Sequence, residues 1–179
     1  MSETLLNRFV EACRQAVSGP KPESVVRTAL AEIGSEPARA IAEIPAFDGE
    51  DYVVHNEPGL SVFVVRQAPD TAGPPHDHGM KALIAMLEGV EVHRHYRRDG
   101  DGIALASRTR LEPGEVLVLN GEDVHAIANP DSTPSLGIHV YLGDIVGGSR
   151  TLWDPVQGTP MRFTTADYDR FVTKASETI

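Results

Sequence analysis

The sequence predicts a mostly β-stranded fold, an antiparallel sandwich or barrel, preceded by helices. The residues up to about 45 repeat apolar side chains at helical spacing. After Ala46, short β-rich runs alternate with turn residues. The chain also holds 16 glycines and 13 prolines, which favour frequent turns. Many short strands with little helix between them are typical of an antiparallel sandwich or barrel.

The helical pattern covers residues 1–45 in three pieces. The first carries one apolar stripe, made of Leu5, Leu6, Phe9, Val10, Cys13 and Val17, and ends at Gly19. Pro22 opens a second helix that ends at Gly34, and a shorter piece follows Ser35. Because apolar stripes need a partner surface, we expect this segment to pack on the barrel rather than form a tail.

The predicted barrel covers residues 46–163 within a single domain. Its strands are expected at 60–67, 82–87, 90–97, 103–109, 115–119, 124–128 and 136–142, separated by glycine, proline, asparagine and aspartate. A short C-terminal helix is expected in residues 164–179, where Tyr168, Phe171 and Val172 supply its apolar side chains.

Charge and composition exclude several classes of protein. The formal net charge is −10, and nucleic-acid or anionic-membrane partners require a basic face. No stretch approaches the ~18 apolar residues of a membrane span, and charged residues interrupt the N-terminal apolar stretch, so we expect no secretion signal. The single cysteine, Cys13, excludes an internal disulfide. We therefore predict a cytoplasmic protein without nucleic-acid or membrane partners, and the sequence leaves a homodimer open.

Histidines carry the chemistry of this sequence. In the segment His76-Asp77-His78, the two imidazoles are two residues apart, so an extended backbone projects them to one side and lets them hold one ion. A polar loop is the alternative for such a pair considered alone. His125 adds a third imidazole at the start of a predicted strand.

Residues 74–129 resemble the cupin superfamily. The first cupin motif is matched by His76, His78 and Gly89, and the second by Gly114, His125 and Asn129. Asn120 and Glu122 replace the usual proline and second glycine, and Ala82 stands where the family has a metal-binding glutamate. The resemblance implies a double-stranded β-helix, or jelly-roll, barrel whose interior holds one metal ion through His76, His78 and His125.

Three neutral imidazoles leave an ion its full double charge and several open coordination positions. This three-histidine variant resembles the thiol dioxygenases, of which cysteine dioxygenase is the familiar member. The resemblance implies Fe(II) as the native ion, with Ni or Zn as the ions that a crystal can carry instead. It also implies a small-molecule thiol and O2 as substrates, and a sulfinate as product.

The segment 137–141 resembles the Ser-x-His-x-Tyr strand of the same family. His139 and Tyr141 share one strand face, and Gly137 replaces the serine. The resemblance implies that Tyr141 donates a hydrogen bond at the oxygen-binding position and that His139 orients it, which makes both catalytic residues. A buried Tyr–His pair that satisfies its own hydrogen bonds is the alternative.

Two family features are missing. Leu83 occupies the position of the cysteine that some members crosslink to the tyrosine. Residues 52–56 lack the arginine with which the animal cysteine enzymes bind the substrate carboxylate, and His55 is our candidate substrate-binding residue in its place. The second H-x-H pair, His93 and His95, lies among arginines that oppose a divalent ion, so we interpret both as solvated strand residues.

The leading hypothesis is therefore a non-haem iron dioxygenase that oxidises a small thiol. Two alternatives stay open. One is a cupin metalloenzyme that acts on a non-thiol substrate, such as a diketone, with the same three histidines. The other is a non-enzymatic cupin that binds or senses a small ligand.

Overall fold

The computed structural model of the chain describes residues 4–178, so residues 1–3 and 179 of the two predicted terminal segments lie outside the described range. The helices are α1 (Leu5–Val17), α2 (Pro22–Gly34), α3 (Pro37–Glu43) and α4 (Thr165–Arg170). The first strands are β1 (Asp51–Glu57), β2 (Leu60–Gln67), β3 (Thr71–Ala72), β4 (Ala82–Glu88), β5 (Glu91–Asp99) and β6 (Gly102–Leu111). The remaining strands are β7 (Val116–Leu119), β8 (Val124–Asn129), β9 (Ser135–Tyr141), β10 (Thr151–Trp153), β11 (Pro160–Arg162) and β12 (Thr173–Lys174).

The strands form two five-stranded antiparallel sheets with the orders β1-β2-β9-β4-β7 and β12-β3-β8-β5-β6. Between β2 and β9 the chain alternates between the sheets except at the β5–β6 hairpin, with β2, β4, β7 and β9 in one sheet and β3, β5, β6 and β8 in the other. This alternation is the jelly-roll arrangement. The predicted double-stranded β-helix barrel with N-terminal helices and a short C-terminal helix is confirmed.

The three N-terminal helices cover the outer face of the first sheet. One buried apolar cluster joins α1 and α2 to strands β2, β4 and β9, and its members include Leu30, Ile33, Leu83, Ile138 and Val140. Strand β4 is consequently buried on both faces, which explains its unbroken apolar run. Cys13 is fully buried in this cluster, and burial raises the pKa of its thiol to about 12. It is a packing residue rather than a reactive thiol.

Local signals set the helix ends. The Thr4 hydroxyl accepts a hydrogen bond from the Asn7 amide and caps α1, and α2 and α3 each begin with a proline in the first turn. No helix within residues 4–178 is both long and apolar enough to cross a bilayer.

The C-terminal segment differs from the expected helix over residues 164–179. Helix α4 begins after the Thr164 cap and ends at Arg170. Thr173 and Lys174 then pair with β3, because the edge of that short strand offers backbone partners that a continuing helix would leave unused. Strands β1, β3 and β10–β12 have no counterpart among the predicted strands, since they are edge strands or are only two or three residues long.

Candidate metal centre

His76, His78 and His125 meet inside the barrel. His125 lies on β8, and a pair of backbone hydrogen bonds of 2.8 and 2.9 Å joins it to His76 in the loop before β4. One ring nitrogen from each of the three side chains lies within 4.8 Å of the others, and all three residues are buried. The backbone ladder therefore holds the loop histidines against the strand histidine.

The spacing of the His78 and His125 nitrogens matches that of two ligands of a first-row divalent ion. His78 Nε2 and His125 Nε2 lie 3.4 Å apart. Two nitrogens that each bind an ion at about 2.1 Å stand roughly 3.0–3.4 Å apart at bond angles of about 90–109°. His76 Nδ1 lies 3.1 Å from the Pro74 carbonyl, which accepts its proton and leaves Nε2 free to coordinate.

Burial keeps these imidazoles neutral, which is the state that binds metal. Burial lowers the pKa of His76 to about 4, with a smaller opposing effect of the Pro74 carbonyl. Burial and the neighbouring His76 lower the pKa of both His78 and His125 well below the usual value. These buried, neutral ring nitrogens can therefore bind a metal ion without first losing a proton.

Asp77 points away from the three histidines. Its carboxylate accepts hydrogen bonds from the Thr151 amide at 2.8 Å and from Arg98 at 3.3 Å. These contacts fix the start of β10 and with it the adjacent Arg150. Gly79 has a φ of 65°, and a side chain there would collide with the Ser149 carbonyl at 2.5 Å, so glycine lets this segment approach closely.

A cavity of about 410 Å³ opens beside the metal centre. It is lined by His76, His78, His139, Tyr141, Arg150, Phe163, Tyr168 and several acidic residues. Imidazole, phenol and guanidinium groups thus share one small volume. That volume suits a small molecule.

The structure places Tyr141 and His139 in this cavity, on the inner face of β9. The Tyr141 ring lies 5.1 Å from the His78 ring, centroid to centroid. His139 Nδ1 lies 3.3 Å from the Tyr141 hydroxyl, whereas its buried Nε2 has no hydrogen-bond partner among the described residues. Burial raises the pKa of Tyr141 and lowers that of His139 to about 4. At neutral pH the phenol is therefore a proton donor and the imidazole is uncharged.

Ala82 explains why Tyr141 has room beside the histidines. The two residues are opposite each other in the β4–β9 pair, so their side chains share the inner face. Both belong to a small apolar cluster inside the barrel. A glutamate at position 82 would enter the same space, and the alanine leaves it to the phenol.

Sequence reasoning did not place Arg150 and Tyr168 in the site. Arg150 lies over the Phe163 ring, 3.7 Å from its centroid, and forms no ion pair with any residue of the described range. The Tyr168 ring lies 5.5 Å from the His76 ring. A side chain at Gly73 would stand 2.2 Å from the Tyr168 hydroxyl, so this glycine makes space for it. Gly73 is visible in the sequence, but Tyr168, the residue for which it makes space, lies 95 residues further along the chain.

Three carboxylates, from Glu50, Asp51 and Asp169, also line the cavity. Partial burial is the main cause that raises the pKa of Glu50 and of Asp51, and the neighbouring acids add to it. The cavity therefore offers both an arginine and acidic groups to a ligand.

His55 lies on the edge strand β1, where its Nε2 is 3.4 Å from a Glu57 carboxylate oxygen. It is not among the cavity-lining residues of the described chain. The structure does not bring it together with the other predicted site residues.

The interpretation of His93 as a solvated residue is wrong, because its side chain is fully buried. It follows Glu91 by two positions on β5, so both side chains face inward, while the intervening Val92 faces the other side. His93 Nδ1 lies 3.2 Å from His125 Nδ1. The neighbouring arginines suggested a solvated strand, but they give no information about the side of β5 that faces inward. His95 is only partly buried, and its Nε2 lies 3.0 Å from the Thr109 hydroxyl.

No known family profile matches the chain. Solved structures with similarity to it include a double-stranded β-helix protein of uncharacterised function from Klebsiella pneumoniae, with 16% identity and a TM-score of 0.49, covering 63% of this chain and 86% of that one. A cupin superfamily protein from Desulfitobacterium hafniense has 17% identity and a TM-score of 0.44, covering 56% and 84%. Oxalate decarboxylase from Bacillus subtilis has 14% identity and a TM-score of 0.44, covering 59% of this chain but only 29% of that one.

Proposed function

We propose that the protein is a metal-dependent dioxygenase of the thiol dioxygenase type, which oxidises a small thiol to a sulfinate. Both atoms of O2 are added to the sulfur, which loses four electrons to the oxygen and releases its proton. Fe(II), held by His76, His78 and His125, would bring thiolate and O2 together and supply the electron transfer between them. Ni or Zn would occupy the same ligands without that redox chemistry.

The observation that carries the proposal is the position of Tyr141. Its ring packs on His78, its hydroxyl faces His139, and all three line the cavity beside the metal ligands. A cupin that only binds a ligand has no need of a buried, protonated phenol in contact with an imidazole. We assign Tyr141 the role of hydrogen-bond donor to the reacting groups and His139 the role of orienting it.

The cavity charges indicate the kind of thiol. Arg150, which forms no ion pair within residues 4–178, is available for a substrate carboxylate. Asp51 and Asp169 line the same cavity and favour an ammonium group on the same molecule. We therefore propose a small thiol that carries charge, with Arg150 rather than His55 as its anchor. We also propose that the protein acts in the cytoplasm.

Oxygen consumption by the Fe(II)-loaded protein tests this function. The panel contains cysteine, a thiol acid without the amine, an aminothiol without the carboxylate, and a diketone. We expect O2 uptake with a thiol and a product that has gained two oxygen atoms by mass spectrometry. Uptake with the diketone alone would identify a carbon dioxygenase, and metal binding without any uptake would identify a ligand-binding protein.

Arg150→Met in the same assay tests the proposed anchor. We expect a higher KM for carboxylate-bearing thiols and little change for the aminothiol that lacks a carboxylate. Arg162→Met is the matched control, because Arg162 is exposed and does not line the cavity.

A further inference from the structure

A chain of buried polar side chains leads away from the metal centre behind His125. The ring of His93 is parallel to that of His125, with a 4° interplanar angle, and their Nδ1 atoms lie 3.2 Å apart. On the far side, His93 Nε2 lies 3.2 Å from Glu91 Oε2, and the Ser135 hydroxyl lies 3.3 Å from Glu91 Oε1. All four residues are fully buried.

Glu91 has no lysine or arginine partner among residues 4–178, and its only ionic contact is with His93. An isolated carboxylate in a protein interior is strongly destabilising unless a positive charge or hydrogen bonds compensate it. The contact with His93 is within ion-pair distance but off the line of an ideal hydrogen bond, so it compensates the charge only in part. Compensation of this carboxylate within residues 4–178 therefore depends on its contacts with His93 and Ser135.

The donor and acceptor groups of Glu91, His93 and His125 determine where the proton on each imidazole lies. Burial opposes ionisation of Glu91, but the contact with His93 and the surrounding groups together hold the pKa of its carboxyl below the usual value. An ionised carboxylate only accepts, so the Nε2 proton of His93 faces Glu91. The His93 tautomer with its proton on Nε2 has a bare Nδ1, which lies 3.2 Å from His125 Nδ1 and accepts the proton of that atom. The remaining nitrogen of His125, Nε2, keeps its lone pair and faces His78.

We propose that Glu91 and His93 are positioning residues of the metal centre, which set the tautomer of His125 and supply the counter-charge that three neutral ligands lack. Position 82, where a carboxylate ligand would stand, holds alanine, and Glu91 provides a negative charge behind two imidazoles, those of His93 and His125. Carboxylates behind ligating histidines typically change metal affinity 10–100-fold. The proposal rests on the metal centre of the proposed function and not on the identity of the substrate.

The test compares Glu91→Gln with the wild-type chain, after removal of metal with a chelator. Zn²⁺ affinity is measured by competition with a chromogenic chelator, and the stability of the metal-free protein by urea unfolding. We expect Zn²⁺ affinity to fall about 10–100-fold. We also expect metal-free stability to fall, because the lowered pKa of Glu91 means that its ionised form is stabilised in the folded chain even without metal. Glu88→Gln, on an exposed side chain, is the matched control and should change neither quantity.

A merely structural Glu91 would lower metal-free stability and leave Zn²⁺ affinity unchanged, and unchanged affinity overturns the proposal. His93→Phe keeps an aromatic ring but interrupts the polar contacts between Glu91 and His125. It should weaken Zn²⁺ binding to a similar extent. If Glu91→Gln fails to fold, His93→Phe decides, and unchanged affinity in it overturns the proposal. A wild-type chain that binds metal without oxidising thiols would remove the proposed function and leave this inference intact, whereas one that binds no metal removes both.

Discussion

Strand β9 has two faces with opposite chemistry. Leu136, Ile138 and Val140 point outward into the apolar cluster beneath the N-terminal helices. His139 and Tyr141 alternate with them and point inward, where they line the cavity beside the metal ligands. All seven residues of the strand are buried, so exposure does not distinguish the two faces. The difference lies in what each face contacts.

This alternation separates stability from chemistry along one strand. The outer face contributes apolar burial, which stabilises the fold without regard to protonation or metal. The inner face buries titratable groups, which is unfavourable unless they are paired or coordinate an ion. Substitutions one residue apart should therefore change different measured quantities.

The largest effect is expected on the inner side, at the metal ligands. His78→Ala combined with His125→Ala should reduce bound first-row metal from one ion per chain to none, because one remaining imidazole cannot hold it. Elemental analysis of the purified variant measures this. His55→Ala, a substitution outside the cavity, is the control and should retain its metal. Full metal occupancy in the double variant contradicts the assignment.

Tyr141→Phe tests the inner face of β9 itself. The ring and its packing on His78 remain, and only the hydrogen-bond donor is lost. We expect turnover of the thiol substrate to fall by about 10²-fold or more while metal content stays intact. Tyr52→Phe is the control, because Tyr52 packs on Phe47 under the helices. A loss of about 1–3 kcal/mol of stability with near-normal turnover would indicate a structural tyrosine instead.

Acid should destabilise the metal-free protein, because the folded chain buries His76 and His139 in their neutral form. Burial lowers the pKa of His76 and of His139 from 6.5 to about 4, so the unfolded chain binds protons first as the pH falls. The stabilising effect is complete above pH 6.5 and is lost progressively toward pH 4. We expect on the order of 3 kcal/mol for each side chain over this interval. Urea unfolding between pH 7.5 and 4 measures it, and a flat profile would show that these groups titrate normally.

Ile138→Ala tests the outer face, one residue from His139. Ile138 is completely buried in the apolar cluster, so the truncation should lower the free energy of unfolding by about 2–5 kcal/mol. Metal content and turnover of the folded protein should be unchanged. A parallel loss of metal affinity would show that the two faces are coupled through the strand.

Sequence periodicity was sufficient for the long inner strands of the barrel, and the resemblance to the cupin motifs identified the three histidines that cluster inside it. Turn residues bounded each long strand, and the His76-Asp77-His78 spacing with His125 matched a known motif. Strands β3 and β10–β12 were missed because two or three residues carry no readable alternation, and the seven-residue β1 was missed because it is a partly exposed edge strand. Their positions depend on backbone edges that only the folded sheets provide.

The remaining site residues depend on tertiary contacts. Arg150 enters the cavity because Asp77 anchors the neighbouring Thr151, a contact between residues 74 positions apart. His93 was assigned to solvent because its arginine neighbours dominated the local charge. Alternation along β5 places Glu91 and His93 on the face of His125, and that signal would have found them once β5 was paired with β8.

The smallest predicted effect concerns the unpartnered end of the Tyr141–His139 pair. A Cβ at Gly137 would lie 3.3 Å from the Ala85 carbonyl and 3.5 Å from His139 Nε2, the buried nitrogen that has no hydrogen-bond partner among residues 4–178. Gly137→Ala and Gly137→Ser introduce the same tight Cβ, but only serine adds a hydroxyl that can reach Nε2. The serine variant should therefore be the more stable of the two by about 1 kcal/mol, measured by urea unfolding at pH 7.5. Equal stability would mean that His139 Nε2 already has a hydrogen-bond partner. The inner face of β9 would then gain nothing from an added hydroxyl, as the apolar outer face would gain nothing.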